Sequence, residues 1–136
     1  MRFGNSNPLA NIPLVVKNLL IINVIVFFAQ DALPNIGFNF TEYFSLFNWR
    51  SELFYPHQLI SHMFLHDDLN HLLLNMLGLY IFGRVLEGIM GSKKFMTFYL
   101  ITGIGAGLIS ILSKEIYFQY LASKISPDLV LSLIHI

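Results

Sequence analysis

His71 and Asn75 stand four residues apart in the stretch "HDDLNHLLLNM", His66 to Met76. On a helix that spacing stacks both side chains on one face, roughly 5–6 Å apart, with Leu72, Leu73, Leu74 and Met76 around them. An imidazole N–H and a carboxamide NH2 are both donors. Two donors converging on one point in a dry site stabilise the oxyanion that forms on a carbonyl under attack. Neither group is the nucleophile of such a reaction. The structural use of the same pair is to bond neighbouring helices and hold a bundle together. In either case polar groups in so apolar a run are costly unless they face protein or a water-filled cavity.

Two further histidines lie close by. His62 and His66 are four apart and His71 follows five later, so three imidazoles with Asp67 or Asp68 could make a zinc shell. Two features weigh against that use. The metalloprotease pattern of two histidines flanking an internal Glu is missing, and His71 sits one residue past the repeat that would align it with His66. Asp68 has a structural role available as the cap of a helix beginning at Leu69, where negative charge is favoured by the helix dipole. Asp67 reads as solvated.

The elements that position these residues belong to a membrane protein. The 136 residues are 55% hydrophobic and 12% charged, with thirteen Phe, against roughly 45–50% apolar and 25% charged in an ordinary soluble domain. Eight basic and eight acidic residues cancel, which removes any case for a nucleic-acid partner, since phosphate binding needs a concentrated positive field. The absence of cysteine excludes disulfides, thiolate nucleophiles and cysteine zinc sites.

A hydrocarbon core about 30 Å thick needs about 20 mainly apolar helical residues. Three runs qualify: 13–30, with Pro13 suited to a first turn and Lys17 able to snorkel; 69–83, short for a span; and 95–113, free of charge. Gly103, Gly105 and Gly107 in the third run suit close helix–helix approach in lipid. The stretch "FFAQDALPN" offers no small-x-small cleavage site, so the first run is expected to be retained. The connection 31–68 carries Tyr43, Phe44 and Phe47 at helical spacing and Trp49, Phe54 and Tyr55 besides. It is expected to lie as an amphipathic aromatic loop in the membrane interface, packed on its own rings. Arg2, Lys17, Arg84, Lys93 and Lys94 fall on one side of the spans and Arg50, Lys114 and Lys124 on the other. The positive-inside rule then puts the N-terminus and the 84–94 connection in the cytoplasm.

Taken together, "MFLH", "HLLLNM", "FGRVLEGIMGSKKF" and the glycine-rich third run resemble the rhomboid intramembrane serine proteases, over about Pro56 to Gly107 and more loosely upstream. The resemblance implies an all-α membrane protein: three transmembrane helices of a six-helix bundle around a cavity open to the outer face, with the interfacial loop between the first and second. It implies a Ser/His dyad, the serine in a G-x-S-G motif opening the fourth helix and the histidine on the sixth, with no cofactor and no metal. By position it assigns His71 and Asn75 to the oxyanion hole, His66 to the cavity wall, Glu87 to a loop-organising role and Arg84 to the same stretch. The family often carries Trp-Arg just before the "LISHMFLH" segment; here His57 and Gln58 stand there, and "WR" occurs earlier as Trp49 and Arg50.

No G-x-S-G occurs in the chain, and no histidine follows His71 until His135. The expectation is therefore an N-terminal part of a rhomboid protease, residues 1–130, ending in the loop that starts at 114, inactive alone for want of nucleophile and base. The ending "LSLIHI", 131–136, reads like a translated sequencing adapter and is expected to be non-native. The expected partners are transmembrane protein substrates and the lipid bilayer, in the bacterial inner membrane. Two other classes fit the same half: a non-catalytic rhomboid-like protein that binds transmembrane partners, and a histidine zinc protein.

Overall fold

Wherever charge is absent for a full span, the chain is helical, and the helices run further than the charge-free runs do. The computed structural model describes residues 11–124. Six α-helices follow in order: α1 (Leu14–Ala32), α2 (Phe40–Phe44), α3 (Gln58–Ser61), α4 (Leu69–Gly78), α5 (Arg84–Met90) and α6 (Ser92–Lys124). Short 3-10 turns at Leu33–Ile36 and His62–Phe64 extend α1 and α3, and a π-helical turn at Leu79–Gly83 joins α4 to α5. There is no strand among the described residues. Three segments are long and apolar enough to cross a membrane: Leu14–Ile36, Leu69–Met90 and Ser92–Lys124. The all-helical membrane fold expected from composition is the fold observed.

The second span is longer than its charge-free run. It continues through Arg84 and Glu87 to Met90, so the connection expected over 84–94 reduces to Gly91, whose φ of 80° lies in the left-handed region that glycine adopts without strain. The charges are tolerated because Arg84 stays exposed beside Tyr80 and Glu87 finds partners on α1. The third span likewise passes its expected end at 113 and remains helical to Lys124. Thirty-three residues at about 1.5 Å each make roughly 50 Å, well beyond the hydrocarbon thickness. Residues 125–130 of the expected loop and the tail 131–136, with His135, lie outside the described residues.

The helices meet in a small core of Val15, Val16, Leu19 and Phe95, with Phe64, Leu79, Leu86 and Tyr99 against it. Gly83 permits this approach: a Cβ there would stand 3.0 Å from Val16 Cγ2 and 3.3 Å from Phe95 Cζ. The glycines of α6 serve a different contact from the one expected. Gly103 and Gly107 receive Met63 and His62 of the loop rather than another spanning helix, and Gly105 faces open space. Small residues let the irregular α3 segment sink against α6, which brings the histidine-bearing stretch inward.

Within the 31–68 connection the aromatic stretch is helical only over Phe40–Phe44, and Phe47 lies beyond it. The rings of Tyr43, Phe44, Tyr55 and His57 pack together, while Tyr43, Trp49 and Tyr55 keep much of their surface exposed. Gln58, fully buried, organises this loop. Its amide donates to the Tyr43 and Leu53 carbonyls at 3.2 and 2.9 Å and its Oε1 accepts the Phe47 N–H at 3.4 Å.

Candidate functional site

The site begins where α4 begins. Asp68, in extended backbone conformation, accepts the His71 N–H on its Oδ1 at 2.8 Å, which satisfies one of the free amides of the first turn. The cap expected from the sequence is present. It fixes the start of α4, and with it His71 and, one turn on, Asn75, along one face.

His66 arrives from the other side of the cap and is 3% exposed. Its backbone is clamped by Gln30 near the end of α1: the His66 N–H donates to Gln30 Oε1 at 3.1 Å and the Gln30 amide donates to the His66 carbonyl at 3.3 Å. The imidazole Nδ1 lies 3.3 Å from the Phe64 carbonyl, and the ring meets His71 edge to face at 5.2 Å between centroids. Burial holds the His66 imidazolium below the ordinary histidine range. The neighbouring His71 acts in the same sense, against the Phe64 carbonyl and Asp67.

His66 and Asn75 line one cleft of about 350 Å³ between α1, α4 and α6, together with Asn23 and Tyr99, whereas His71 is exposed and does not line it. Asn23 is fully buried. Its amide donates to the Leu19 carbonyl at 2.7 Å, and its Oδ1 has no hydrogen-bond partner among the described residues. The cleft thus joins a neutral-favouring imidazole, a carboxamide donor and a buried acceptor. No serine, threonine or cysteine lines it. Such a site can hold and polarise a carbonyl oxygen but has no nucleophile of its own.

The remaining sequence candidates lie apart. His62 turns away: its Nδ1 sits 2.7 Å from the Gln58 carbonyl and its ring lies against Gly107. Among the described residues no three His, Asp or Glu side chains converge on a metal-sized site, so the donor geometry gives the zinc alternative no support. Glu87 is sixteen residues beyond His71, about 24 Å along the helix. It is 3% exposed and accepts from the Val15 and Val16 N–H groups at 3.0 and 2.8 Å and from Ser92 Oγ at 2.6 Å. Pro13 supplies no side-chain cap to α1; this carboxylate supplies it from another span, at the positive end of the dipole. Arg84 donates to the Tyr80 phenol oxygen at 3.4 Å.

Reasoning from sequence missed Gln30, Asn23, Gln58 and Glu115. The signal was there for two of them, since Asn23 and Gln30 are isolated polar residues in an apolar run, and such residues mark internal sites by default. Glu115 is held by Arg50 at 2.9 Å, by Asn48 at 3.3 Å and by Gln119 at 3.0 Å.

Compared with known proteins, the chain matches the Rhomboid domain over residues 53–121. It is 34% identical over 84 residues to Rhomboid-like protein 11, chloroplastic, of Arabidopsis thaliana, an alignment covering 57% of this chain and 30% of that protein. The match thus spans less than a third of the relative's length. No solved structure matches. The family domain takes in α4 with its cap, His66, His71, Asn75 and Glu87, and covers half of the sequence: the chain belongs to the rhomboid family.

Proposed function

We propose that this chain supplies the oxyanion-binding part of a rhomboid intramembrane serine endopeptidase. The observation that carries the reading is the spacing of His71 and Asn75 one turn apart on α4, whose start the Asp68 cap fixes, with the His71 ring against the buried His66 and Asn75 lining a cleft with His66. In this reading a serine Oγ from the remainder of a longer protein attacks the scissile carbonyl. A histidine from the same remainder takes its proton and returns it to the leaving amine as the C–N bond breaks, and water then hydrolyses the acyl-enzyme. His71 and Asn75 donate to the negative oxygen in both tetrahedral steps. His66 lines the cavity wall, and Glu87 with its neighbour Arg84 organises the opposite end of the bundle.

Rhomboid family proteins act within the bilayer, and the substrates in this reading are transmembrane proteins. In this reading the membrane is a bacterial inner membrane, and the distribution of Lys17, Arg84, Lys93 and Lys94 supports an orientation with the N-terminus in the cytoplasm. The test uses the protein extended through its downstream reading frame. Asn75→Ala should lower turnover about 100- to 1,000-fold with thermal stability nearly unchanged; undiminished turnover removes the oxyanion role. The 136-residue chain itself should cleave nothing. A downstream frame without G-x-S-G would favour the non-catalytic, partner-binding reading instead.

A further inference from the structure

A second recess, sharing no residue with the cleft of His66 and Asn75, lies in the connection after α1. Phe38, Asn39, Glu42, Tyr43, Leu53 and Tyr55 enclose about 230 Å³. Three of these are aromatic rings: Phe38 and Tyr43 lie 6.2 Å apart between centroids, and Tyr43 and Tyr55 5.5 Å. His57 stacks behind both tyrosines, at 5.1 and 5.7 Å, and its Nε2 lies 3.1 Å from the Tyr43 carbonyl, so the wall is braced from outside. Asn39 fixes the acid: its Oδ1 accepts the Glu42 N–H at 3.2 Å and its amide donates to Glu42 Oε2 at 2.7 Å. Among the described residues no cation pairs with Glu42.

Aromatic faces carry negative potential, and a carboxylate beside them adds a full charge, so the complementary ligand is a weakly hydrated ammonium. Its source follows from depth. The first apolar span ends at Ile36, two residues before Phe38, which sets the recess at headgroup level. Phe28 and Ile36 of the preceding span are themselves exposed. We propose that this recess binds the ammonium headgroup of a zwitterionic phospholipid in the leaflet reached by the C-terminal end of α1. It would fix the height of the loop that carries the α3 segment.

The test is lipid retention by the full chain in mixed micelles holding equal phosphatidylcholine and phosphatidylglycerol, read by native mass spectrometry. Phosphatidylcholine should be retained about two- to fivefold over phosphatidylglycerol. Glu42→Gln and Tyr55→Leu should abolish the preference, whereas Tyr55→Phe, which keeps the ring, should preserve it. Tetramethylammonium should displace the lipid where sodium at equal ionic strength does not. Equal retention of both lipids, an unchanged preference in Glu42→Gln and Tyr55→Leu, or equal displacement by sodium overturns the proposal. So does tighter binding of a lysine-rich peptide than of either lipid.

Discussion

The Glu87 carboxylate accepts the Val16 amide at 2.8 Å across 71 residues of sequence, and so caps a helix to which it does not belong. The same carboxylate holds Val15 and Ser92, so one buried acid ties the start of α1 to the junction of α5 and α6. Glu87→Ala leaves two amides and a hydroxyl unpaired and should cost about 3 kcal/mol or more. Glu87→Gln should cost less, because its carbonyl can still serve Val15 and Ser92 while its NH2 opposes the Val16 N–H. Unfolding midpoints in detergent rank the two variants, and equal midpoints would contradict the cap.

The glycines of α6 predict opposite signs for one substitution. A Cβ at Gly107 would stand 2.8 Å from His62 Cε1, with Leu46 Cδ2 at 3.1 Å, while one at Gly105 meets nothing within 4 Å. Gly107→Ala should destabilise by about 1–3 kcal/mol by pushing out the loop. Gly105→Ala should stabilise slightly, by about 0.5–1 kcal/mol, through helix propensity. Thermal unfolding of the two variants side by side decides the matter.

Arg50 reaches Glu115 at 2.9 Å with the arginine 65% and the glutamate 9% exposed. The exposed end weakens the pair, so a double-mutant cycle with Arg50→Ala and Glu115→Gln should give a coupling of about 0.5–1 kcal/mol, reduced by salt. Arg50→Ala alone should cost more than the double variant, because it leaves a mostly buried carboxylate supported only by Asn48 and Gln119.

His66 should make stability pH-dependent. Its folded pKa is depressed by burial, so the folded chain binds that proton less readily than the unfolded chain. The contribution is fully present above the unfolded value of about 6.5 and is lost as pH falls through the lower folded value. Melting temperatures between pH 8 and 5 should fall on the acid side, and His66→Gln should flatten that fall.

Composition and short-range spacing determined much of this protein. Apolar runs around residues 13–30, 69–83 and 95–113 located the three spans, because a bilayer demands apolar length wherever the chain crosses it. The Asp68 cap and the shared face of His71 and Asn75 were legible for the same reason: both are contacts within one helical turn. Only the tertiary structure decided which polar residues of distant segments meet. Glu87 could extend its helix past the expected end because the amides of α1 lie against it. Gln30 clamps His66 over 36 residues, and Glu115 stays helical and buried beside Arg50. A buried polar group is stable only with a partner, and when that partner is a helix away its identity depends on how the chain folds back, which local pattern does not encode.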